Sequence, residues 1–91
     1  MYYTYVLLCS SVKDGRHEFY TGFSANLPER EIDYKTKSVK TTKKFDKIEL
    51  VYFEACLNKV DAMKREKQLK TGFGRGYIKR RLESYINTLR A

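Results

Sequence analysis

Residues 2–9 are apolar, aromatic or β-branched at every position, which is typical of a buried strand. Two further segments, from His17 to Phe23 and from Ile48 to Glu54, are rich in aromatic and β-branched residues and predict a second and a third strand. A turn element, Asp14-Gly15, stands between the first two segments. We therefore expect an antiparallel hairpin over residues 2–23 and a separate third strand.

Capping residues predict where two helices begin. Asn26 is followed three residues later by an acidic residue, so it predicts a helix that runs to about Tyr34 or Lys35. Asn58 repeats the pattern and predicts a second helix that runs to about Lys70.

The C-terminal third contains a glycine-rich segment and a further apolar stripe. Three glycines within residues 72–76 are expected to break the second helix, because glycine loses the most backbone freedom in a helix. Apolar residues at helical spacing predict a last helix from about Arg75 to Leu89. The order β-β-α-β-α-α predicts one α+β domain over residues 1–91, a small three-stranded antiparallel sheet flanked by helices.

Charge is distributed unevenly along the 91 residues. The net charge is +8, but residues 1–34 carry −2 and residues 35–91 carry +10. A concentrated positive field on so small a domain favours a polyanionic partner, most often nucleic acid. Six lysines fall in residues 35–47, which we interpret either as a phosphate-binding loop or as a solvated flexible segment.

Two classes of protein are excluded by the apolar pattern. No apolar run approaches the roughly 18 residues of a membrane span, and the N-terminus lacks the basic leader of a signal peptide, so we expect no membrane association. Cys9 and Cys56 lie inside apolar runs and not in a CxxC pair. Reduced core thiols in a cytoplasmic protein are therefore expected, without a disulfide framework or a zinc knuckle.

Two charged residues fall where helical periodicity predicts burial. Glu66 projects between Ala62 and Leu69, where a carboxylate is costly unless it is paired or binds a metal. Arg30 shares a helical stripe with Leu27, so its guanidinium is expected to point toward the sheet. It could bind phosphate through its planar fork or serve as a structural partner of Glu66 or of a backbone carbonyl.

Two tyrosines fall on neighbouring strands of the predicted hairpin. Tyr5 and Tyr20 can share one sheet face, although the register that would decide this is not readable from the sequence. A strand tyrosine is ordinarily part of a core, but beside an arginine and a metal a phenol can position or deprotonate water.

The chain resembles the GIY-YIG endonuclease superfamily, and especially its small single-domain bacterial members. The segments that carry the resemblance, in order, are Tyr3-Thr4-Tyr5, Tyr20-Thr21-Gly22, Asn26-Leu27-Pro28-Glu29-Arg30, Lys40-Thr41-Thr42-Lys43, Leu50-Val51-Tyr52-Phe53-Glu54, the helix from Asp61 to Lys70, and Gly72-Phe73-Gly74-Arg75. The match extends from residue 3 to about residue 80.

The resemblance implies hydrolysis of a DNA phosphodiester with Mg²⁺ or Mn²⁺ and without a small-molecule cofactor. Glu66 would hold the metal, and Arg30 would stabilise charge on the transition state. Tyr5 would be the general base or would orient the attacking water, and Tyr20 would hold the nucleophile or the phosphate.

DNA contacts are expected from basic residues of the loop at residues 35–47 and of the two helices that follow the third strand. The residues that we assign to nucleic-acid binding are Lys37, Lys40, Lys43, Lys44, Lys70 and Arg75. Phosphate contacts of this kind are neutral to sequence. We therefore expect structure-selective or weakly sequence-specific action by a monomer or weak homodimer, with branched or damaged DNA in repair or recombination as the candidate substrate.

Two alternatives remain open from the sequence. Many members of the superfamily have a histidine four residues after the arginine, where this chain has Tyr34. A phenol with a pKa near 10 accepts a proton poorly at neutral pH, so the fold could serve as a catalytically impaired nucleic-acid-binding module. A basic RNA-binding domain of unrelated fold is the second alternative.

Overall fold

A computed structural model of the protein describes residues 1–33 in full, the backbone of residues 34 and 35, and residues 45–89. The elements in chain order are β1 (Tyr2–Ser10), β2 (His17–Ser24), α1 (Leu27–Lys35), β3 (Lys47–Cys56), α2 (Lys59–Leu69), α3 (Gly72–Arg81) and α4 (Glu83–Thr88). The predicted α+β class, the three antiparallel strands and the flanking helices are confirmed.

Strand β1 is the centre of the sheet, whose strand order is β2-β1-β3. Its residues from Thr4 to Cys9 are all at most 3% exposed, because helices cover both faces of the sheet. A central strand covered on both faces needs no alternation of polar and apolar residues, which explains the uniform run in the sequence. Thr4 is the buried polar exception, and its hydroxyl donates to the carbonyl of Ala62 at 2.8 Å.

The two faces of the sheet carry separate cores. On the α1 face, Tyr5, Leu7 and Cys9 pack with Leu27 of α1 and with Phe45. On the opposite face, here called the α2 face, Val6 packs with Leu69 of α2 and Ile78 of α3.

Strand β3 contains a β-bulge, and the residues on either side of it contribute to different cores. Val6 pairs with Tyr52 and Leu7 pairs with Leu50, so Val51 is the extra residue. Leu50 packs against the α1-face core, whereas Val51 and Tyr52 both pack against the α2-face core. The bulge thus reverses the side of the sheet on which the rest of β3 places its side chains.

The prediction of one last helix from Arg75 to Leu89 was wrong, because this part of the chain forms two helices and the first begins before Arg75. The predicted break after the second helix is present, but it lies at residues 70–71, before the glycines. Helix α3 already begins at Gly72, and the Thr71 hydroxyl caps it by accepting from the Gly74 amide. A side chain at Gly74 would overlap the backbone of Leu69, so glycine allows α2 and α3 to meet closely. Leu82 leaves helical geometry (φ −106°, ψ 18°) and divides α3 from α4.

Several smaller expectations can be compared with the structure. Strand β3 extends to residues 47–56, beyond the predicted 48–54. Gly15 has a φ of +68°, as the predicted turn requires. Cys9 and Cys56 are both free thiols. Every helix in the described ranges is too short or too polar to cross a membrane.

Candidate active site

The most constrained predicted site residue is Tyr5, at the middle of the central strand. It pairs with Gly22 of β2 and is 1% exposed. The Tyr5 ring lies over Gly22, where any Cβ atom would overlap the phenol oxygen and the carbon that bears it. Glycine at position 22 therefore makes the space into which the tyrosine ring fits.

Helix α1 brings Arg30 to the Tyr5 hydroxyl. The helix begins with a capping box, in which Asn26 Oδ1 accepts from the Glu29 amide and Asn26 Nδ2 donates to Glu29 Oε2. Arg30 lies one turn into the helix, and its Nε donates to the Tyr5 hydroxyl at 3.4 Å. The prediction that Arg30 points toward the sheet is confirmed by this contact.

The Arg30 guanidinium is held at one edge and reaches solvent at another. Its Nη1 lies 3.8 Å from Asp33 Oδ2, and 39% of the side chain is exposed. A guanidinium in this position can present donors to an incoming phosphate while its inner edge stays bound to the sheet.

Tyr20 lies on the same face of the sheet as Tyr5. It pairs with Leu7, two residues along β1 from Tyr5, and it packs half-buried against the α1-face core. The register thus places the two tyrosines on one face, which was left open by the sequence.

Glu66 lies on helix α2, which packs on the opposite face of the sheet. Asn58 caps that helix by accepting from the amides of Val60 and Asp61. The Glu66 side chain is 21% exposed, and its Oε2 lies 3.4 Å from Lys70 Nζ. The structure therefore brings Tyr5, Tyr20 and Arg30 together on the α1 face, while Glu66 approaches from the α2 face.

The predicted DNA-binding residues are only partly described. Lys70 and Arg75 are exposed at the junction of α2 and α3, where both line a pocket beside β2. Lys37, Lys40, Lys43 and Lys44 lie outside the described residues.

A polar network between β3, α2 and α3 was not predicted from the sequence. Arg65 donates to Glu54 through Nε at 2.9 Å and Nη2 at 3.0 Å, and the Tyr52 hydroxyl donates to the same carboxylate at 2.9 Å. Because that donation uses the one Tyr52 proton, the Tyr77 hydroxyl is the donor in the 3.1 Å contact with Tyr52. The only sequence signal was a glutamate at the end of an apolar strand.

The network shifts the pKa values of its members. Burial raises the pKa of Glu54, but the hydrogen bonds from Arg65 and Tyr52 outweigh it and hold the pKa below 4.5. Burial, with the contacts to Tyr77 and Glu54, raises the pKa of the Tyr52 phenol well above 10. The hydrogen bond to Glu54 raises the pKa of Arg65. The network therefore contains an ion pair of Arg65 and Glu54 beside a neutral Tyr52 phenol at physiological pH.

The donor set for a metal ion is small. Among the described residues, no group of three or more His, Cys, Asp or Glu side chains is placed to hold a metal. Mg²⁺ often takes one or two carboxylates and completes its shell with water and substrate phosphate. Within the described ranges Glu66 contacts Lys70 through Oε2 only, so its second oxygen fits such a one-carboxylate site.

Comparison with known proteins gave one match. A family model for the GIY-YIG catalytic domain matches residues 1–81 of the 91-residue chain. The match contains Tyr5, Tyr20, Arg30 and Glu66. No curated protein and no solved structure matches the chain significantly.

Proposed function

Because the chain belongs to the GIY-YIG catalytic-domain family, a family of nucleases, we propose that it is a metal-dependent endonuclease that hydrolyses phosphodiester bonds in DNA. The observation that supports this proposal best is the contact of Arg30 Nε with the buried Tyr5 hydroxyl. It fixes a cation at the surface of the sheet, where a phosphate can meet it. Membership of this family also removes the alternative of an RNA-binding domain of unrelated fold.

Arg30 would bind the non-bridging oxygens of the scissile phosphate. Its fork matches two oxygens at once, and its inner donor is held by Tyr5, so little reorganisation is needed as charge builds on the phosphate. Tyr5 is 1% exposed and its hydroxyl already receives the Arg30 donor. We therefore assign Tyr5 the role of positioning Arg30.

Tyr20 is the tyrosine better placed to meet the attacking water, because it is half-buried and lies on the edge strand. Its hydroxyl would accept a hydrogen bond from the water and orient it toward phosphorus. The water oxygen would then bond to phosphorus as the bond to one deoxyribose oxygen breaks. The attacking water would release one proton to solvent and the leaving oxygen would take up one from solvent, so the products are a phosphomonoester and a hydroxyl.

Glu66 would hold the divalent ion, Mg²⁺ or Mn²⁺, through the oxygen that Lys70 does not contact. When bound, such an ion polarises the phosphate and stabilises charge on the leaving oxygen. Because Glu66 lies on the α2 face and Arg30 on the α1 face, a substrate that meets both must pass around the rim of the sheet.

DNA binding would be structure-selective or weakly sequence-specific. Lys70 and Arg75 are exposed cations suited to phosphate contacts, which carry no sequence information. We propose the same role for Lys37, Lys40, Lys43 and Lys44 on the basis of their charge. Branched or damaged DNA would be the preferred substrate class.

A second candidate function is a binding module that keeps the fold without cutting. It is favoured by the position of Glu66, which is paired with Lys70 and is separated by the sheet from Tyr5 and Arg30. In this alternative the basic residues bind nucleic acid, and the Arg30 contact with Tyr5 is structural.

The deciding experiment is cleavage of supercoiled plasmid and of branched DNA at saturating protein, with Mg²⁺, with Mn²⁺ or with EDTA. Arg30→Ala and Glu66→Gln should each abolish cutting. The matched controls are Arg81→Ala at the end of α3 and Glu83→Gln at the start of α4. Both residues are exposed and have no part in the proposed active site, so these changes should leave the rate unchanged. Binding by the wild type without cutting under either metal would support the binding-module alternative.

A further inference from the structure

A pocket of about 500 Å³ lies on the α2 face between β2 and the junction of α2 and α3. Its floor is apolar and consists of Val6, Leu69 and Ile78, which belong to the core of that face. Phe19 of β2 forms part of its wall and is 37% exposed. This volume is within the range of sites that bind small molecules or parts of larger ligands.

The rim of the pocket is strongly basic. Lys70, Arg75 and Lys79 line it, and Glu18 is the one acidic residue among those that line it in the described structure. All three basic residues are exposed. An apolar floor with three cations at its rim is complementary to a flat apolar group that carries a negative charge.

The pocket adjoins the carboxylate proposed to hold the metal. Lys70 lines the pocket, and its Nζ lies 3.4 Å from Glu66 Oε2. A phosphate bound by Lys70 would therefore be separated from the Glu66 carboxylate only by the Lys70 ammonium group. The pocket and the proposed active site thus can belong to one path for a nucleic-acid strand.

We propose that this pocket binds one unpaired nucleotide of the substrate strand, an inference that rests on the proposed function. The base lies on the apolar floor against the Phe19 ring, and the Lys70, Arg75 and Lys79 side chains hold its phosphate. Bases stack on aromatic side chains regardless of their identity, because every base has a π-face. A base within a duplex is stacked and paired, so only an unpaired one enters.

The pocket therefore gives a physical basis for selecting branched, bulged or frayed DNA over intact duplex. Extruding a base costs least where it is already unpaired. The selection would act in binding, before any bond is broken.

The test is a binding measurement in EDTA, so that it does not depend on cleavage. The probes are a duplex with one bulged 2-aminopurine, the same duplex fully paired, and free 2-aminopurine deoxynucleoside monophosphate. We expect the bulged duplex to bind about tenfold or more tightly than the paired one. The 2-aminopurine fluorescence should rise as the base leaves the neighbouring bases that quench it.

Phe19→Ala should weaken binding of the bulged duplex about five- to a hundredfold. Phe73→Ala is the matched control, because Phe73 is 63% exposed on α3 and does not line the pocket. Phe19→Leu keeps apolar volume but has no ring on which a base can stack, so it should weaken binding even if the alanine variant is unstable. Lys79→Gln should weaken binding more than Lys64→Gln, whose lysine is exposed on α2 outside the pocket.

Equal affinity for bulged and paired duplexes would overturn the proposal, as would equal effects of Phe19→Ala and Phe73→Ala. Free monophosphate binding as tightly as the bulged duplex would also overturn it, because the pocket would then be a mononucleotide site independent of the strand. Bulge-selective binding by a protein that cuts no DNA would support the pocket while the nuclease proposal fails, so the two failures are distinguishable.

Discussion

Arg65 of α2 donates two hydrogen bonds to the carboxylate of Glu54 on β3, at 2.9 and 3.0 Å. The pair is only about 26–30% exposed, and the Arg65 guanidinium also lies 5.0 Å over the Tyr77 ring. Because Arg65 immediately precedes Glu66, this contact fixes the rotation of α2 about its axis. The direction of the Glu66 carboxylate thus depends on a contact that Glu66 does not make.

We expect Arg65→Ala to lower the free energy of unfolding by about 1.5–3 kcal/mol, because it leaves the Glu54 carboxylate half-buried without its ion pair. Arg65→Lys should recover less than half of that loss, since an ammonium cannot reproduce the planar fork. Urea unfolding followed by circular dichroism measures both values.

Lys67→Ala on the same helix is the control for this pair. Lys67 is exposed, and a surface substitution of this kind changes stability by no more than about 0.5 kcal/mol. If Arg65→Ala and Lys67→Ala cost the same, the Arg65 contact with Glu54 does not stabilise the fold.

The Glu54 carboxylate should make the free energy of unfolding depend on pH in the acid range. Its pKa in the folded protein is held below 4.5, so the folded state favours the ionised form and the stabilisation is complete above about pH 4.5. This stabilisation is lost as the pH falls from 4.5 through the lowered pKa of Glu54 in the folded protein. The difference in unfolding free energy between wild type and Glu54→Gln should be constant near neutral pH and shrink below 4.5. A difference that grows in acid would contradict this sign.

Gly22→Ala should destabilise the protein by about 1–3 kcal/mol, because the new Cβ would overlap the Tyr5 ring in a packed core. It should also displace the Tyr5 hydroxyl from Arg30. The matched change is Gly72→Ala in α3, where a Cβ meets nothing within 4 Å and helix propensity favours alanine. Thermal unfolding of both variants gives the comparison. Equal Tm values would show that a Cβ atom at position 22 fits beside the Tyr5 ring without destabilising the fold.

Tyr5→Phe tests whether the phenol positions Arg30. Losing one hydrogen bond to a cation is expected to lower the cleavage rate about tenfold while the fold is kept. The pH dependence of the rate separates the two roles: loss of a positioning residue leaves the profile unchanged, whereas loss of the general base removes the rise of the rate with increasing pH. The measurement is the single-turnover rate from pH 6 to 9.

Local features of this fold were readable from the sequence, because their causes are local. Asn26 and Asn58 form caps at the helix starts that were predicted, since capping depends on residues two or three positions away. The inward direction of Arg30 also follows from spacing within one helix. The start of α3 at Gly72 was not predicted, because the glycine at position 74 is required by the close approach of Leu69 at the end of α2. That requirement is a contact between two helices, which the local sequence pattern does not show.

Relations between elements were not readable in the same way. Glu54 and Arg65 are on different elements, and nothing in either segment marks the other as its partner. The placement of Glu66 across the sheet from Tyr5 depends on which face α2 covers, and this is decided by the packing of Leu69 and Ile78 on Val6. Periodicity predicts burial at Glu66, but it does not say which face of the sheet α2 covers.

The bulge at Val51 allows β3 to hold one residue more than the segment of β1 opposite it, while each half of β3 keeps its face. Leu50 faces one core and Tyr52 the other, although a regular strand would place both on one side. Loss of Val51 would make these two residues direct neighbours on a regular strand, so they would still face opposite sides and Tyr52 and Glu54 would keep their positions beside Tyr77 and Arg65. Among related chains, length differences of one residue are therefore expected at this position.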